Sequence, residues 1–145
     1  LFDSLPQDTD IRITGAPNEM LKNPTFAYLL NWPNVSYEDA GFIDLAGLMK
    51  AARLVVSVDT AVMHLSVAGG APTLCLASAA YVGEIVPYAK NISPKNVKFY
   101  YKPMPCEGCL GYCINSLQNG SFKCIDELEV KTVVSKAIGL FEKIR

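Results

Sequence analysis

The sequence predicts an α/β domain with a mainly parallel sheet flanked by helices. Short β-branched runs alternate with stretches of helical period, the pattern of strands joined by crossover helices. The length, 145 residues, suits one domain. Half of the residues are apolar and only 19% are charged, enough for a sizeable core and too little charge for wholesale disorder.

A first strand is Ile11-Arg12-Ile13-Thr14, stopped by Gly15-Ala16-Pro17. Asn23-Pro24 then places a cap residue before a proline at the first helical position and opens a helix through Tyr28 and Leu30. Asn31-Trp32-Pro33-Asn34 is punctuation, and Val35-Ser36-Tyr37 is a short strand. From Phe42 the apolar positions Phe42, Leu45, Ala46, Met49 and Ala52 keep the spacing of an amphipathic helix. Leu54-Val55-Val56-Ser57-Val58 reads as a buried strand running into the capping pair Asp59-Thr60. A helix apolar nearly all round follows to Ala68, ended by Gly69-Gly70. Pro72 to Leu76 is the next strand. Residues 83–105 carry Gly83, Pro87, Pro94, Pro103 and Pro105 and read as a long connection, with an edge strand over Val97–Tyr101. A last helix runs from about Asp126 with the stripe Val130, Val133, Val134, Ala137, Ile138, Phe141 and Ile144.

Charge narrows the function classes. Thirteen Lys+Arg against fourteen Asp+Glu leave a net charge of -1, so no basic excess exists to neutralise a nucleic-acid backbone. No apolar run reaches the length of about 18 to 20 residues that crosses a bilayer. The start, Leu1-Phe2-Asp3-Ser4, lacks the basic-then-apolar pattern of a signal peptide, and the absence of an initiator Met suggests a piece of a longer protein.

Residues 54–76 form a β-α-β unit, and ligands of such units bind beyond the carboxyl ends of the strands. The first amides of a helix have no internal acceptor, and the macrodipole adds partial positive charge, so a phosphate or diphosphate fits there. Asp59 ends the strand and Thr60 starts the helix. His64, the chain's single histidine, lies one turn above Thr60 on the same face. From spacing alone, a helix cap at Asp59 or Thr60 and a satisfied, partly buried His64 is the simpler reading. Neither a Gly-x-Gly-x-x-Gly nor a P-loop run is present.

The stretch Phe42-Ile43-Asp44-Leu45-Ala46-Gly47-Leu48-Met49-Lys50-Ala51-Ala52-Arg53-Leu54-Val55-Val56-Ser57-Val58-Asp59-Thr60-Ala61-Val62-Met63-His64-Leu65, followed by Gly70-Ala71-Pro72-Thr73, resembles the donor-binding half of the heptosyltransferases, glycosyltransferase family nine. The resemblance covers residues 10–80 well and the cysteine-containing tail less closely. It implies the Rossmann-like C-terminal half of a GT-B fold, with residues 1–145 as one partial donor-binding domain. Asp59, Thr60, the backbone of Ala61, and His64 would then contact the diphosphate and sugar of a nucleotide-sugar donor. The family usually has Gly where this chain has Ala61, so the added methyl narrows the pocket where backbone meets phosphate. Gly15 and Glu19 would lie near the ribose, although Glu19 equally suits a solvated first-turn carboxylate. The loop Tyr37 to Phe42 falls at the family's base pocket.

The family's acceptor domain, which supplies the catalytic base, has no counterpart in this sequence, nor has the first βα unit with its phosphate-facing Lys. The resemblance thus implies no catalytic residue within this chain and no turnover by it alone. The donor it suggests is ADP-heptose and the acceptor a lipopolysaccharide core or related surface glycan, with no cofactor required for transfer. It places the protein in the cytoplasm, with room for peripheral association at the inner face of the inner membrane.

Four of the five cysteines fall in one loop, 103–124, spaced Cys106-x2-Cys109-x3-Cys113-x10-Cys124, whereas Cys75 belongs to a core strand. A C-x2-C pair plus a second pair on a loop rich in Gly108, Gly111 and Gly120 suits a tetrahedral structural Zn or Fe site. Two disulfides or unrelated free thiols are the alternatives, and the spacing departs from the ferredoxin run. In the resembled family such cysteines recur with variable spacing, outside the chemistry. A different class of function would make this loop the working part of a metal-stapled interaction or redox module. A GT-B relative with other chemistry, such as a sugar-nucleotide epimerase, is a third reading.

Overall fold

Extended backbone forms where β-branched residues cluster. The computed structural model describes residues 1–118 and 120–143, and all five of its strands pair in parallel. The chain divides into two compact units, Leu1–Leu48 and Met49–Arg145.

In the first unit, β1 (Ile11–Thr14) pairs with β2 (Val35–Glu38), Ile11 opposite Val35 and Thr14 opposite Glu38. Parallel neighbours need a crossover. Here it consists of a short helix α1 (Glu19–Lys22), entered through Asn18 at φ 64°, and a 3-10 helix over Pro24–Asn31. The helix expected from Asn23-Pro24 thus begins at its predicted place but with tighter winding. Neither segment has a buried residue, and Phe26, Tyr28 and Leu30 are exposed. Without a packed apolar face, nothing imposes regular α geometry on so short a stretch. A Cβ at Gly15 would lie 2.5 Å from the Tyr37 hydroxyl, which donates to the Ala16 carbonyl at 2.6 Å, so a side chain there would displace the end of the Tyr37 ring and this hydrogen bond.

Helix α2 (Phe42–Ala51) contains the boundary between the units. Leu45 and Met49, four apart, are buried, while Phe42 of the predicted stripe is exposed.

The second unit holds a sheet of order β3-β4-β5: β3 (Val55–Val58), β4 (Thr73–Leu76) and β5 (Val97–Tyr100). Val55 aligns with Thr73, and Thr73 with Val97. Helix α3 (Ala61–Ala68) joins β3 to β4 and packs on both, burying Met63, Ser66 and Val67. The core gathers Met63, Val67, Cys75, Ala77, Val86 and Val97, against which Tyr81, Tyr88, Phe99 and Tyr101 pack.

Two sequence expectations are corrected here. The strand at 54–58 is not buried throughout: β3 is an edge of this sheet, and Val56 and Val58 are exposed, whereas the central β4 is nearly sealed. The last helix does not start at Asp126. A short α4 (Lys123–Asp126) ends in a turn, and α5 (Val130–Glu142) begins after Glu129, whose carboxylate accepts from the Thr132 hydroxyl. Val130, in the first turn of α5, is exposed, while Ala137 is sealed and α5 packs on β4. Ile144, assigned to the same stripe, lies outside the described residues.

The end of α3 follows the glycine prediction closely. Gly69 keeps helical φ, and Gly70 takes the left-handed conformation at φ 84°. The Gly70 amide donates to Val67 O at 3.1 Å and the Ala71 amide to Ser66 O at 3.0 Å. These two bonds make a Schellman cap. The turn delivers Thr73 to a buried position where its hydroxyl lies 3.0 Å from that of Ser66. Asn96 fastens the same corner, donating to Val67 O and Ala71 O at 3.2 and 2.8 Å.

Candidate functional site

The site is built where β3 turns into α3. The Thr60 amide donates back to Val58 O at 2.8 Å, which makes the turn tight and places Thr60 at the N-cap in extended conformation. Its hydroxyl does not cap the helix. Asp59, predicted as a cap, does something else: its carboxylate accepts the Ser78 amide at 3.3 Å and ties the end of β3 to the end of β4. The amides of Ala61 and Val62 open the helix, where no intrahelical acceptor exists. Thr60 and Ala61 are exposed, so this end of α3 faces solvent. Partial positive charge and uncapped amides are what an anion needs.

His64 stands one turn above, half-buried, with its Nδ1 2.6 Å from the Tyr88 hydroxyl. The two rings lie 5.6 Å apart, and Tyr88 meets Phe99 edge-on at 5.2 Å. Tyr88 is thereby held on both sides. Burial pushes its phenol pKa up, and the neighbouring Cys75 adds to the effect, so the hydroxyl keeps its proton at neutral pH. When that hydroxyl donates to Nδ1, the neutral imidazole carries its proton on Nε2 and offers it as a donor. Tyr88 is the site residue that sequence reasoning missed. It arrives from a proline-rich connection 24 positions beyond His64, and no local period or motif marks it.

Cys75 is sealed in β4 as expected of a core residue. Burial pushes its thiol up to about 12, with the charge of Asp59 as a second cause, which leaves it an inert thiol.

Of the other predicted site residues, Gly15 and Glu19 belong to the first unit. Gly15 follows β1 and its amide donates to Glu38 O at 3.3 Å. Glu19 is the first residue of α1, half-buried, and its carboxylate accepts from the Asn23 side-chain amide. Asp59, Thr60, Ala61 and His64 come together at the head of α3 in the second unit.

The cysteines 106, 109 and 113 are half-buried and Cys124, in α4, is buried; none is in a disulfide. All four line one narrow cavity of about 10 Å³, together with Ala79, Ala80 and Asn115 among others. Burial pushes the Cys106 thiol up, followed by the influence of Cys113, Cys109 and Cys124. Among the described residues, no group of three or more His, Cys, Asp or Glu already stands in a metal-holding arrangement. No helix among them is long and apolar enough to cross a membrane.

Residues 40–109 match the family model described as glycosyltransferase family 9 (heptosyltransferase). The resemblance read from the sequence is therefore upheld over that stretch, which contains β3, the Asp59–His64 turn, β4 and Tyr88. The parallel α/β architecture agrees with the Rossmann-like half of a GT-B fold. The match supports a glycosyltransferase function in general. No curated protein and no solved structure gave a significant match to the chain.

Proposed function

We propose that this chain serves as a nucleotide-sugar donor-binding domain of a glycosyltransferase, with the head of α3 as its diphosphate seat. The observation that carries the reading is the uncapped N-terminus of α3 with His64 one turn above it, inside the family-matched segment. The amides of Ala61 and Val62 and the Nε2–H of His64 meet the diphosphate, and the Thr60 hydroxyl adds a further donor. Asp59, whose carboxylate accepts the Ser78 amide, sets the turn, and in this reading it accepts from sugar hydroxyls while Thr60, Ala61 and His64 take the phosphate oxygens. In transfer, an acceptor hydroxyl displaces the nucleoside diphosphate with inversion at the anomeric carbon. Charge developing on the leaving diphosphate is what these donors stabilise. One helix terminus contributes only about 0.3–1 kcal/mol, up to about 2 when partly buried, so it orients the leaving group and supplies a fraction of the rate.

The finer assignments follow the family resemblance: ADP-heptose as donor, a lipopolysaccharide core or related glycan as acceptor, transfer without a cofactor, and a peripheral position at the cytoplasmic face of the membrane. The base that deprotonates the acceptor is assigned to no residue of this chain. The ribose role of Gly15 and Glu19 belongs to the same proposal. Its local support is the half-buried Glu19 carboxylate in the first turn of α1, four residues after the glycine that follows β1, and a Glu19→Gln variant tests it separately. The rival reading, in which the cysteine segment is the working part, is not favoured by a family match that takes in the Asp59–His64 turn.

Calorimetric titration of ADP, UDP and GDP into the 145-residue chain tests the donor reading. ADP is expected to bind most tightly. His64→Ala should weaken it about 12- to 160-fold, the worth of one hydrogen bond to a charged group. Tyr88→Phe keeps the ring packing on Phe99 but frees Nδ1, and should cost less than His64→Ala. Equal and negligible binding of all three nucleotides overturns the proposal.

A further inference from the structure

The donor reading leaves unused the four thiols that converge between β5 and the start of α5. Their loop is shaped with unusual care for a surface connection. The Gly108 amide donates to Ala79 O at 3.0 Å and the Leu110 amide to Ala80 O at 2.9 Å, anchoring the Cys106–Cys109 turn on the 3-10 helix Ala79–Tyr81. Gly108, Leu110 and Gly111 all take positive φ, at 74°, 52° and 90°. For Leu110 that conformation costs about 1–3 kcal/mol and persists only where the surroundings dictate it. The result is a reversal of the chain immediately around Cys109. Farther on, Gln118 and Ser121 exchange backbone hydrogen bonds at 2.8 and 2.7 Å, three residues before Cys124.

The four cysteines meet at one place. Cys106, Cys109, Cys113 and Cys124 line a cavity of about 10 Å³, and a space of that size suits a single small sphere. The Asn115 side-chain amide reaches two of the sulfurs, Cys106 Sγ at 3.6 Å and Cys113 Sγ at 3.9 Å. An amide donating to sulfur is the outer-shell contact that steadies thiolates. A packed loop filling that space for its own stability would be served by apolar side chains; four thiols plus an amide donor are the donor set of a tetrahedral sulfur site.

We propose that these four cysteines bind one Zn²⁺ as a structural site, independent of nucleotide binding. Binding converts the four thiols to thiolates, releases four protons to solvent and draws the sulfurs inward to the tetrahedral geometry that Zn requires at about 2.3 Å. The contraction is needed because no three of them already stand in ligating arrangement among the described residues. A cavity for one sphere favours a mononuclear ion over a cluster of iron and sulfide.

The test uses the 145-residue chain, reduced, stripped with chelator and then titrated with Zn²⁺ or with Co²⁺ as a coloured substitute. One ion per chain is expected, with the intense visible bands of tetrahedral Co²⁺ bound to thiolates and a rise in thermal midpoint on adding Zn²⁺. Asn115→Ala should weaken Zn²⁺ binding about 10- to 100-fold, as loss of an outer-shell partner does. Cys109→Ser should abolish the thiolate bands, and Cys75→Ser, in the core, should leave the stoichiometry at one. Should Cys109→Ser not fold, the Co²⁺ spectrum of the unaltered chain decides by itself. No metal uptake by the folded, reduced chain overturns the proposal. So does a count of fewer than five thiols in the unfolded chain with chelator present, after purification without reductant, since the missing sulfurs would then be in disulfides.

Discussion

Asp59, His64 and Cys75 lie near one another in sequence and structure, yet each is tuned differently by what touches it. His64 owes its orientation to Tyr88, a partner at 2.6 Å, while Asp59 is held by a backbone amide of the next strand end. Cys75, beneath them, feels Asp59 only as an unfavourable charge added to its burial, and its thiol is pushed from 9.0 up to about 12. The consequence for stability has a definite sign. The folded state holds this proton more tightly than the unfolded chain does. The stabilisation is therefore complete below the unfolded value near 9.0 and is lost as pH rises through about 12. One proton sets the steepest slope, about 1.4 kcal/mol per pH unit. Denaturant unfolding at pH 7, 9 and 11 should show stability falling over the upper interval, and Cys75→Ala should fall less steeply than the unaltered chain. Tyr88, also pushed up, acts in the same direction; burial is its first cause and Cys75 its second, so Cys75→Ala also removes part of the Tyr88 contribution and widens the difference. Parallel curves would mean the thiol is not held as the sealed position in β4 requires. At this scale the grouping of Asp59, Thr60 and His64 at one turn was legible in the sequence, because strand end and helix turn are neighbours along the chain. Tyr88 stayed hidden because only tertiary packing brings it there.

The elements repeat that division between local and distant causes. β1, β2, β4 and β5 stand where β-branched runs placed them, and Gly69-Gly70 ends α3 as predicted. The failures all depend on what an element packs against. β3 has the composition of a buried strand but occupies a sheet edge; Pro24–Asn31 has a helix start but no face to bury; α5 starts later because the chain turns at Glu129. Periodicity reports a side chain's companions on its own element, never the neighbour that will cover them. Two glycines convert this into a measurement. A Cβ at Gly70 meets nothing within 4 Å, and so does one at Gly139 inside α5, so neither substitution is crowded. Their backbones differ: Gly70 has φ 84°, and Gly139 lies in regular helix. Gly70→Ala should therefore destabilise by about 1–2 kcal/mol through the left-handed backbone. Gly139→Ala should stabilise by about 0.5–1 kcal/mol through the smaller entropy of the unfolded chain. Denaturant midpoints that move in opposite directions confirm the assignment; a loss at both positions would place Gly139 in a tighter environment than α5 provides.

For the molecule as a whole, the distribution of buried side chains is strongly uneven. In the unit Leu1–Leu48 the buried hydrophobic residues are Val35 and Leu45, and the crossover between its two strands exposes Phe26 and Tyr28. The unit Met49–Arg145 seals Met63, Leu74, Cys75, Val86 and Ala137 and adds the Ser66–Thr73 hydroxyl contact and the Asn96 fastening. Each residue fixed in place costs about 1–2 kcal/mol of backbone entropy, and burial of apolar surface is the main term that offsets it. A two-stranded sheet with few sealed residues lies at the margin of independent stability, whereas three strands packed under two helices do not. Composition could not foresee this, because the apolar fraction of the chain says nothing about which residues share a core. Opening free energies should follow the sealed residues. Native-state amide exchange is expected to be slowest in β4, flanked by hydrogen-bonded strands on both sides, and fast in β1 and β2. Added ADP should slow exchange at the Ala61 and Val62 amides, which it would engage directly, more than at the amides of β4, whose protection is set by the core. Uniform protection across both units would show that they open only together. Unchanged exchange at the head of α3 with ADP bound would move the nucleotide away from that turn.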